Sequence, residues 1–234
     1  MTDASRHPRV AVVIPVFNER ESLPLVVGAI PAGVADEIVV VDNGSTDGTA
    51  EIARKLPVRV VREDRRGYGS ACLAGVAALA SRPPDVLVFL DGDFSDHPEE
   101  MPLLLDAIAA GAELVIGSRV LGRREPGALL PQARLGNALA CALIRALYGH
   151  RYTDLGPFRA IRWSAYQTLG MEDVSFGWTC EMQVKALQRG LRVVEVPVSY
   201  RRRVGVSKIT GTLSGTVRAG FKILWTISRY GLTR

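Results

Sequence analysis

Short runs of valine and isoleucine alternate with helix-like stretches along the first half of the chain. The apolar runs fall at residues 9–17, 36–42, 58–63, 85–91 and 112–119. Short runs of this composition are typical of strands that are buried on both faces, as in a parallel sheet. Segments with helical spacing separate them, at residues 21–33, 45–56, 69–81 and 97–111. The alternation predicts an α/β fold with a doubly wound, mostly parallel sheet.

Polar residues follow four of the predicted strands. The strand ends read PVFNE (15–19), VDNGSTD (41–47), LDGD (90–93) and GSR (117–119). In doubly wound sheets, ligands bind beyond the carboxyl ends of the strands. One polar end would be an ordinary loop, whereas four such ends predict a binding crevice along one rim of the sheet.

Asp91 and Asp93 stand one residue apart at the end of an apolar run, and Asp96 follows them closely. Two carboxylates this close repel each other, and burying them without a partner is costly. A hard cation such as Mg²⁺ or Mn²⁺ relieves the repulsion by binding carboxylate and phosphate oxygens together. Acidic pairs also cap helices, but Ser95 or Asp96 can cap the helix that follows. The pair therefore indicates a metal–phosphate site.

Charge is distributed unevenly along the chain. Residues 1–118 hold 10 Lys and Arg against 18 Asp and Glu, a net charge of −8, and residues 119–234 hold 19 against 6, a net charge of +13. An acidic half joined to a basic half indicates a metal site in the first and an anionic partner for the second. Arginines scattered over the surface would be the simpler explanation of the positive charge.

Arg201, Arg202 and Arg203 form the densest basic cluster. In a strand, Arg201 and Arg203 would share one face and Arg202 would take the other. Guanidinium groups suit bidentate phosphate binding, and a Ser-Lys pair follows at Ser207 and Lys208. A solvated basic edge strand is the alternative.

Cysteine content and hydropathy indicate a cytoplasmic protein. Cys72, Cys141 and Cys180 are odd in number and far apart, so neither a disulfide framework nor a zinc cluster is expected. The N-terminal residues contain no apolar stretch of the kind found in signal peptides. The most apolar segment, residues 212–231, contains three basic residues and is not expected to span a membrane.

The pattern divides the chain into a catalytic domain, residues 1–211, and a C-terminal amphipathic helix, residues 212–234. The helix carries Trp225 and several basic residues, so it is suited to the cytoplasmic face of a membrane interface. A homodimer interface, or packing against the domain, would also explain it. Residues 131–149 form another predicted helix that is apolar at most positions.

The residues RRGYGSACLAG (65–75) contain G-x-G-x-x-C at the start of a predicted helix, close to a dinucleotide-binding fingerprint. The third glycine is missing, and the segment follows the third predicted strand instead of the first. We therefore do not expect hydride chemistry. Arg65 and Arg66 would suit a phosphate or a base in either case.

Several motifs, taken in order, resemble a known family. IPVFNE, VDNGSTDGT, DGDFSDHPEE and GSR are similar to the inverting glycosyltransferases of family 2, which have the GT-A fold. In the second half, TDLGPFRAIRW, FGWTCEMQVKALQRG and VVEVPVSYRRRVGVSK resemble the dolichyl- and polyprenyl-phosphate sugar synthases. The resemblance covers residues 9–210. It implies transfer of a sugar from a UDP- or GDP-sugar to a polyprenyl-phosphate lipid, with Mg²⁺ or Mn²⁺ as cofactor.

The resemblance also implies roles for single residues. The implied nucleotide-sugar contacts are Pro15, Phe17, Asn18, Glu19, Asp42, Asn43, Ser45, Arg66, Gly67, Asp91, Gly92 and Asp93. The implied metal ligands are Asp91, Asp93 and Ser95. The implied acceptor contacts are Arg119, Arg159, Arg201, Arg203, Ser207 and Lys208, and the implied catalytic residues are Asp93, Arg119, Asp154 and Glu181. Asn43 stands where the family usually has an acid, which leaves uridine and guanosine both open.

The acceptor decides whether a base is needed. A lipid phosphate is already anionic at neutral pH, so the arginines would only position it. A hydroxyl on a sugar or natural product would need a carboxylate base, for which Asp154 and Glu181 are the candidates. A basic nucleic-acid-binding protein is the alternative of another class. The acidic first half and the lack of aromatic residues interleaved with the arginines speak against it.

Overall fold

The computed structural model describes residues 7–205, 225–227 and 229–230. The strands are β1 (Val10–Val16), β2 (Glu37–Asp42), β3 (Arg59–Arg62), β4 (Val86–Phe89), β5 (Leu114–Ser118), β6 (Arg159–Arg162) and β7 (Val193–Pro197). The helices are α1 (Leu23–Ala29), α2 (Thr49–Ala53), α3 (Tyr68–Leu79), α4 (Met101–Ala109), α5 (Pro131–Tyr148), α6 (Trp163–Leu169) and α7 (Trp178–Gln188). A 3₁₀ turn, Pro98–Glu100, leads into α4.

The seven strands form one sheet in the order β3-β2-β1-β4-β6-β5-β7. All neighbouring pairs are parallel except those of β6, which is antiparallel to both β4 and β5. The predicted α/β fold with a mostly parallel sheet is confirmed, and each of the five predicted strands is present. β6 was not predicted, because RAIR has two arginines around only two apolar residues.

The strand predicted for Arg201, Arg202 and Arg203 is wrong. β7 ends at Pro197, and the three arginines lie in an irregular segment that has isolated bridges only through Tyr200. β7 uses its valines to pair with β5, whereas three successive arginines offer no apolar face to bury. The arginine segment instead bonds to loops at the rim of the sheet.

Alternating side chains of each central strand fill two cores, one on each side of the sheet. Val12 and Ile14 of β1 belong to the core under α1 and α4, and Val13 belongs to the core under α3, α6 and α7. Burial on both faces explains why β1 is apolar at every position. A smaller cluster joins α5 and α7 to Ile227.

The cysteines and the helices outside the sheet can be compared with the sequence analysis. Cys72, Cys141 and Cys180 are buried and form no disulfide. Within the described parts of the chain, no helix combines the length and apolar character needed to cross a membrane. Ser207, Lys208 and most of the predicted helix at residues 212–234 lie outside the described residues, so the division of the chain at residue 211 stays a prediction.

Candidate active site

A cavity of about 410 Å³ opens beyond the carboxyl ends of β1, β2 and β4. Its lining includes nine of the residues that the family resemblance implies as nucleotide-sugar contacts: Pro15, Phe17, Glu19, Asn43, Arg66, Gly67, Asp91, Gly92 and Asp93. Ser175 and Phe176, from the loop before α7, also line the cavity and were not predicted as site residues, although Phe176 begins the quoted motif FGWTCEMQVKALQRG. The rule that ligands bind beyond strand ends therefore located the cavity.

The loops after β1 and β2 are tied together behind the cavity. The Asn18 N–H donates to Ser45 Oγ at 3.0 Å, and the Thr46 N–H donates to Asn18 Oδ1 at 2.8 Å. The Ser45 N–H donates to Asp42 Oδ1 at 3.0 Å. Asn18 has a φ of 55°, in the left-handed region that asparagine tolerates. Because the loop makes these contacts, α2 begins at Thr49, later than the helix predicted from residue 45.

Asp42 is buried at the end of β2, and its two carboxylate oxygens differ in their hydrogen bonding. Oδ1 is used by the loop, but Oδ2 is buried and has no hydrogen-bond partner among the described residues. A buried acceptor without a partner is costly. Asp42 Oδ2 is therefore suited to accept an N–H from a bound ligand.

Asn43 shapes the β3–α3 loop. Its Nδ2 donates to the carbonyls of Glu63 at 2.9 Å and Arg65 at 2.8 Å, and its Oδ1 accepts the Gly67 N–H at 2.8 Å. An aspartate could not make both kinds of bond, because it has no donor when ionised. The departure from the family's acid thus matches a loop that needs a donor and an acceptor at one side chain.

Arg66 closes one side of the cavity over an aromatic ring. Its guanidinium lies 3.2 Å from the centroid of the Phe17 ring, and its Nη1 donates to the Asn43 carbonyl at 2.6 Å. This cation–π contact brings the predicted residues Phe17 and Arg66 together.

The glycines of RRGYG have a packing role. A Cβ on Gly67 would lie 2.0 Å from the Val174 carbonyl oxygen, and one on Gly69 would lie 1.9 Å from that of Asp173. The N–H groups of Gly69 and Ser70 donate to the same loop, at 3.3 and 3.0 Å. The motif therefore lets α3 approach the loop that carries Ser175 and Phe176.

The predicted acidic cluster lies at the floor of the cavity. Asp93 Oδ1 accepts from the N–H and the hydroxyl of Ser95, at 2.9 and 2.5 Å. Burial, followed by the charge of Asp93, raises the pKa of Asp91 to about 7. Burial also raises the pKa of Asp96 well above its usual value, and both Asp96 oxygens lack hydrogen-bond partners in the described residues. Burial and the neighbouring carboxylates therefore disfavour the charged forms of Asp91 and Asp96.

Arg203 neutralises part of this cluster. Its Nη2 lies 2.8 Å from Glu19 Oε1, its Nη1 lies 3.1 Å from Asp93 Oδ2, and the next residue, Val204, donates its N–H to the Asp93 carbonyl at 3.0 Å. Its guanidinium thus joins the β1 loop to the β4 loop.

The other two arginines of the segment point to different sides. Arg201 donates its N–H to the Ser95 carbonyl at 2.9 Å, and its guanidinium lies 3.8 Å from the centroid of the Phe94 ring. Arg202 instead donates from its side-chain Nε to the Pro126 carbonyl at 2.7 Å. The side chains of Arg201 and Arg202 therefore contact different loops.

Arg119 and Asp154 form a buried ion pair. Asp154 is fully buried, and its Oδ2 and Oδ1 accept from Arg119 Nε and Nη2 at 2.8 and 2.7 Å. Oδ2 also accepts the Arg119 N–H at 2.8 Å. Glu195 in turn holds the N–H groups of Thr153 and Asp154. With both oxygens occupied, Asp154 is placed to hold Arg119 and not to receive a substrate proton.

Glu181 and Arg159 do not line the cavity. Glu181 is fully buried and bonds to two backbone N–H groups of the α6–α7 loop, to Lys185 Nζ at 2.7 Å and to the Tyr230 hydroxyl at 2.8 Å. Arg159 is also fully buried, donates to the Thr179 carbonyl at 2.8 Å, and has a pKa lowered by burial. These contacts fit residues that hold the fold together.

A second cavity, of about 430 Å³, lies between the segment after β5 and α5. Arg124 and Arg134 line it together with the apolar side chains of Val120, Leu129 and Leu135. The sequence analysis did not select these arginines, because they lie outside the quoted motifs. Their spacing around an apolar run, RREPGALLPQAR, was the available signal.

Comparison with known proteins decides the family. Residues 11–170 match the profile described as Glycosyl transferase family 2. The chain belongs to this family. The predicted family is therefore confirmed, the protein is a glycosyltransferase, and the nucleic-acid-binding alternative is set aside.

This glycosyltransferase is similar to two relatives and to one solved structure. It is 42% identical to an uncharacterized glycosyltransferase of Mycobacterium tuberculosis over 90% of this chain and 94% of the relative. It is 37% identical to the polyprenol monophosphomannose synthase of Mycolicibacterium smegmatis over 92% and 85%. Glucosyl-3-phosphoglycerate synthase from M. tuberculosis, in complex with Mn²⁺, UDP-glucose and phosphoglyceric acid, superposes with a TM-score of 0.77 at 23% identity, over 96% and 80% of the chains. This last likeness supports the GT-A fold.

Proposed function

We propose that this glycosyltransferase transfers a sugar from a UDP- or GDP-sugar to a polyprenyl phosphate, with inversion at the anomeric carbon. The observation that carries the proposal is the pairing of an acidic cavity with a second cavity that combines two arginines and apolar walls. The name of the relative from M. smegmatis points to the same class of acceptor.

The first cavity suits the nucleoside diphosphate of the donor. Its volume of about 410 Å³ is in the range of small-molecule sites. The unpartnered Asp42 Oδ2 is an acceptor for a ring N–H, which uracil and guanine both possess. Phe17 and Arg66, which line the cavity, offer a stacked surface for the base.

Asp91 and Asp93 fit a divalent cation that is shared with the donor. Among the described residues, no group of three or more His, Cys, Asp or Glu side chains could hold a metal without help. Two carboxylates are hard oxygen donors, so diphosphate and water would complete the coordination of Mg²⁺ or Mn²⁺. When bound, the cation would neutralise charge that develops on the leaving nucleoside diphosphate.

The second cavity suits a lipid phosphate. Arg124 and Arg134 would bind the phosphate, and Val120, Leu129 and Leu135 would contact the first prenyl units. A phosphate oxygen would attack the anomeric carbon from the face opposite the diphosphate, whose bond to the sugar breaks. This acceptor needs no strong base. Asp154 and Glu181, the two candidates for that role, are buried and already occupied.

The test measures nucleoside diphosphate release from a panel of UDP- and GDP-sugars with Mn²⁺, with and without a short-chain polyprenyl phosphate in detergent. We expect release only with the lipid phosphate. Arg134→Gln should raise KM for that acceptor roughly tenfold, because it removes a charged phosphate contact. Arg189→Gln, which changes an exposed arginine at the end of α7, is the matched control and should not. Equal turnover with a hydroxyl acceptor alone would contradict the proposal.

A further inference from the structure

Helix α5 is apolar on two opposite faces. Ala140, Cys141 and Ile144 are buried against the domain, while Leu135 and Leu139, one turn apart on the outer side, are 62% and 53% exposed. Helical spacing places Ala142 and Ala146 on the same outer side. The helix contains no acidic residue. A surface helix normally turns polar residues to water, whereas the outer side of α5 carries two exposed leucines.

Exposed apolar side chains concentrate on α5 and on the segments near it. Nine large apolar side chains are exposed among the described residues. Six of these belong to α5, to the segment after β5, or to the residues next to Ile227, which packs on α5: Val120, Leu121, Leu135, Leu139, Leu147 and Trp225. We call these six residues the leucine face.

The leucine face is continuous with the second cavity. Val120 and Leu135 belong to the face and also line the cavity, together with Arg124 and Arg134. A lipid whose phosphate lies between these arginines would leave the cavity along the leucine face. The face and the cavity therefore suit one amphiphilic ligand and the layer that contains it.

Exposed arginines surround the leucine face. Arg123, Arg124, Arg134 and Arg145 are exposed, and none of them forms an ion pair with the residues that the structure describes. The nearby Glu125 bonds to the backbone of Arg202. This arrangement attracts an anionic surface. Two copies of the chain would bring their arginines together across a leucine–leucine contact, so charge disfavours a symmetric dimer.

We propose that the leucine face docks this enzyme on the surface of an anionic lipid bilayer, with α5 lying in the interface and the second cavity opening to the lipid. The inference rests on the proposed function for its purpose, which is delivery of polyprenyl phosphate. Burial of exposed leucines in the interface and attraction of the arginines to lipid headgroups provide the binding free energy.

The test is flotation with phosphatidylglycerol–phosphatidylcholine vesicles. The variant is Leu121→Glu/Leu139→Glu, at side chains that are 51% and 53% exposed and do not line the second cavity. The matched control is Leu25→Glu/Leu103→Glu, with the same change of charge at 46% and 45% exposure on α1 and α4. We expect an apparent partition coefficient at least roughly tenfold lower for the variant than for the wild type, and little change for the control.

Two outcomes would overturn the inference. The first is equal vesicle binding by the variant and the control. The second is a wild-type dimer, seen by analytical ultracentrifugation, that only Leu121→Glu/Leu139→Glu dissociates while vesicle binding stays unchanged. If Leu121→Glu/Leu139→Glu has lost its thermal transition, Leu121→Gln/Leu139→Gln replaces it in the same comparison, and equal vesicle binding by that variant and the control overturns the inference.

A separate assay distinguishes failure of this inference from failure of the proposed function. Turnover of short-chain polyprenyl phosphate in detergent, without vesicles, does not need docking. Vesicle binding that depends on the leucine face, with no turnover of any polyprenyl phosphate, would leave the docking surface standing and refute the acceptor. Turnover in detergent, together with vesicle binding that does not depend on the leucine face, would support the acceptor and refute the docking surface.

Discussion

Replacing Asp154 tests whether this carboxylate positions Arg119 or acts as a base. In Asp154→Asn the guanidinium of Arg119 loses its charged partner, while the neutral amide keeps nearly the same shape. The pair is buried, with side-chain exposure of 13% for Arg119 and 0% for Asp154. We therefore expect the protein to become less stable and Arg119 to lose its fixed orientation.

The geometry sets the magnitude of the loss. Removing one partner of a buried ion pair costs about 3–5 kcal/mol, because the other charge stays buried. The amide that replaces the carboxylate would keep one acceptor oxygen for the three N–H groups that Asp154 now binds. Because part of the hydrogen bonding is kept, we expect a loss of stability near the lower end of this range. For a chain of this length, roughly 3 kcal/mol lowers Tm by about 6–12 °C.

The assay is a double-mutant cycle read by denaturant unfolding and by turnover. Arg119→Met/Asp154→Leu replaces both charges with apolar groups, so its stability should return to within about 1 kcal/mol of the wild type. Its activity should stay low, because the guanidinium of Arg119, which the family resemblance implies as an acceptor contact, is absent. The positioning role is refuted if Asp154→Asn unfolds like the wild type while kcat falls and the acidic limb of the pH–rate profile disappears.

Three further changes test other parts of the site. Arg203→Gln removes the guanidinium that competes with a metal ion for Asp93, so Mn²⁺ alone should bind several-fold more tightly, as measured by electron paramagnetic resonance. Weaker Mn²⁺ binding by this variant would contradict that competition. Gly69→Ala puts a Cβ 1.9 Å from a backbone carbonyl and should cost about 2–4 kcal/mol in urea unfolding, whereas Gly136→Ala, with open space around it, should stabilise α5 by about 0.5–1 kcal/mol. The folded-state pKa of Asp96 is raised, so the free energy of unfolding in EDTA should fall as pH rises from about 4 through that pKa. Asp96→Asn should make the free energy of unfolding depend less on pH, and an unchanged slope would contradict the role of Asp96.

Local pattern was sufficient to predict strands β1 to β5 and the first cavity. β1, β2 and β4 are buried on both faces, so their sequences are apolar at successive positions and readable without tertiary information. The parallel order then places their carboxyl ends at one rim, where Phe17 and Asp91 meet in the cavity.

Features that depend on long-range pairing could not be predicted. β6 lies between β4 and β5 as an antiparallel strand, and only tertiary contacts make RAIR extended. Arg119 and Asp154 were each selected, but nothing local shows that they bind one another across 35 positions. The arginines of the second cavity belong to a loop and a helix that come together only in the fold.

The uneven charge of the sequence has a structural consequence at the rim. Arg203 from the basic half reaches Glu19 and Asp93 of the acidic half, and Arg201 reaches Glu99. In the proposed function, a divalent cation and a diphosphate would bring charges of both signs to the place that Arg203 now neutralises. We expect Arg203 to leave Asp93 for the incoming phosphate at little electrostatic cost, because Asp93 would then pair with the cation and the guanidinium with the phosphate. Donor affinity should consequently depend on metal and diphosphate together more strongly than on either one, and isothermal titration of Mn²⁺ with and without UDP measures that coupling.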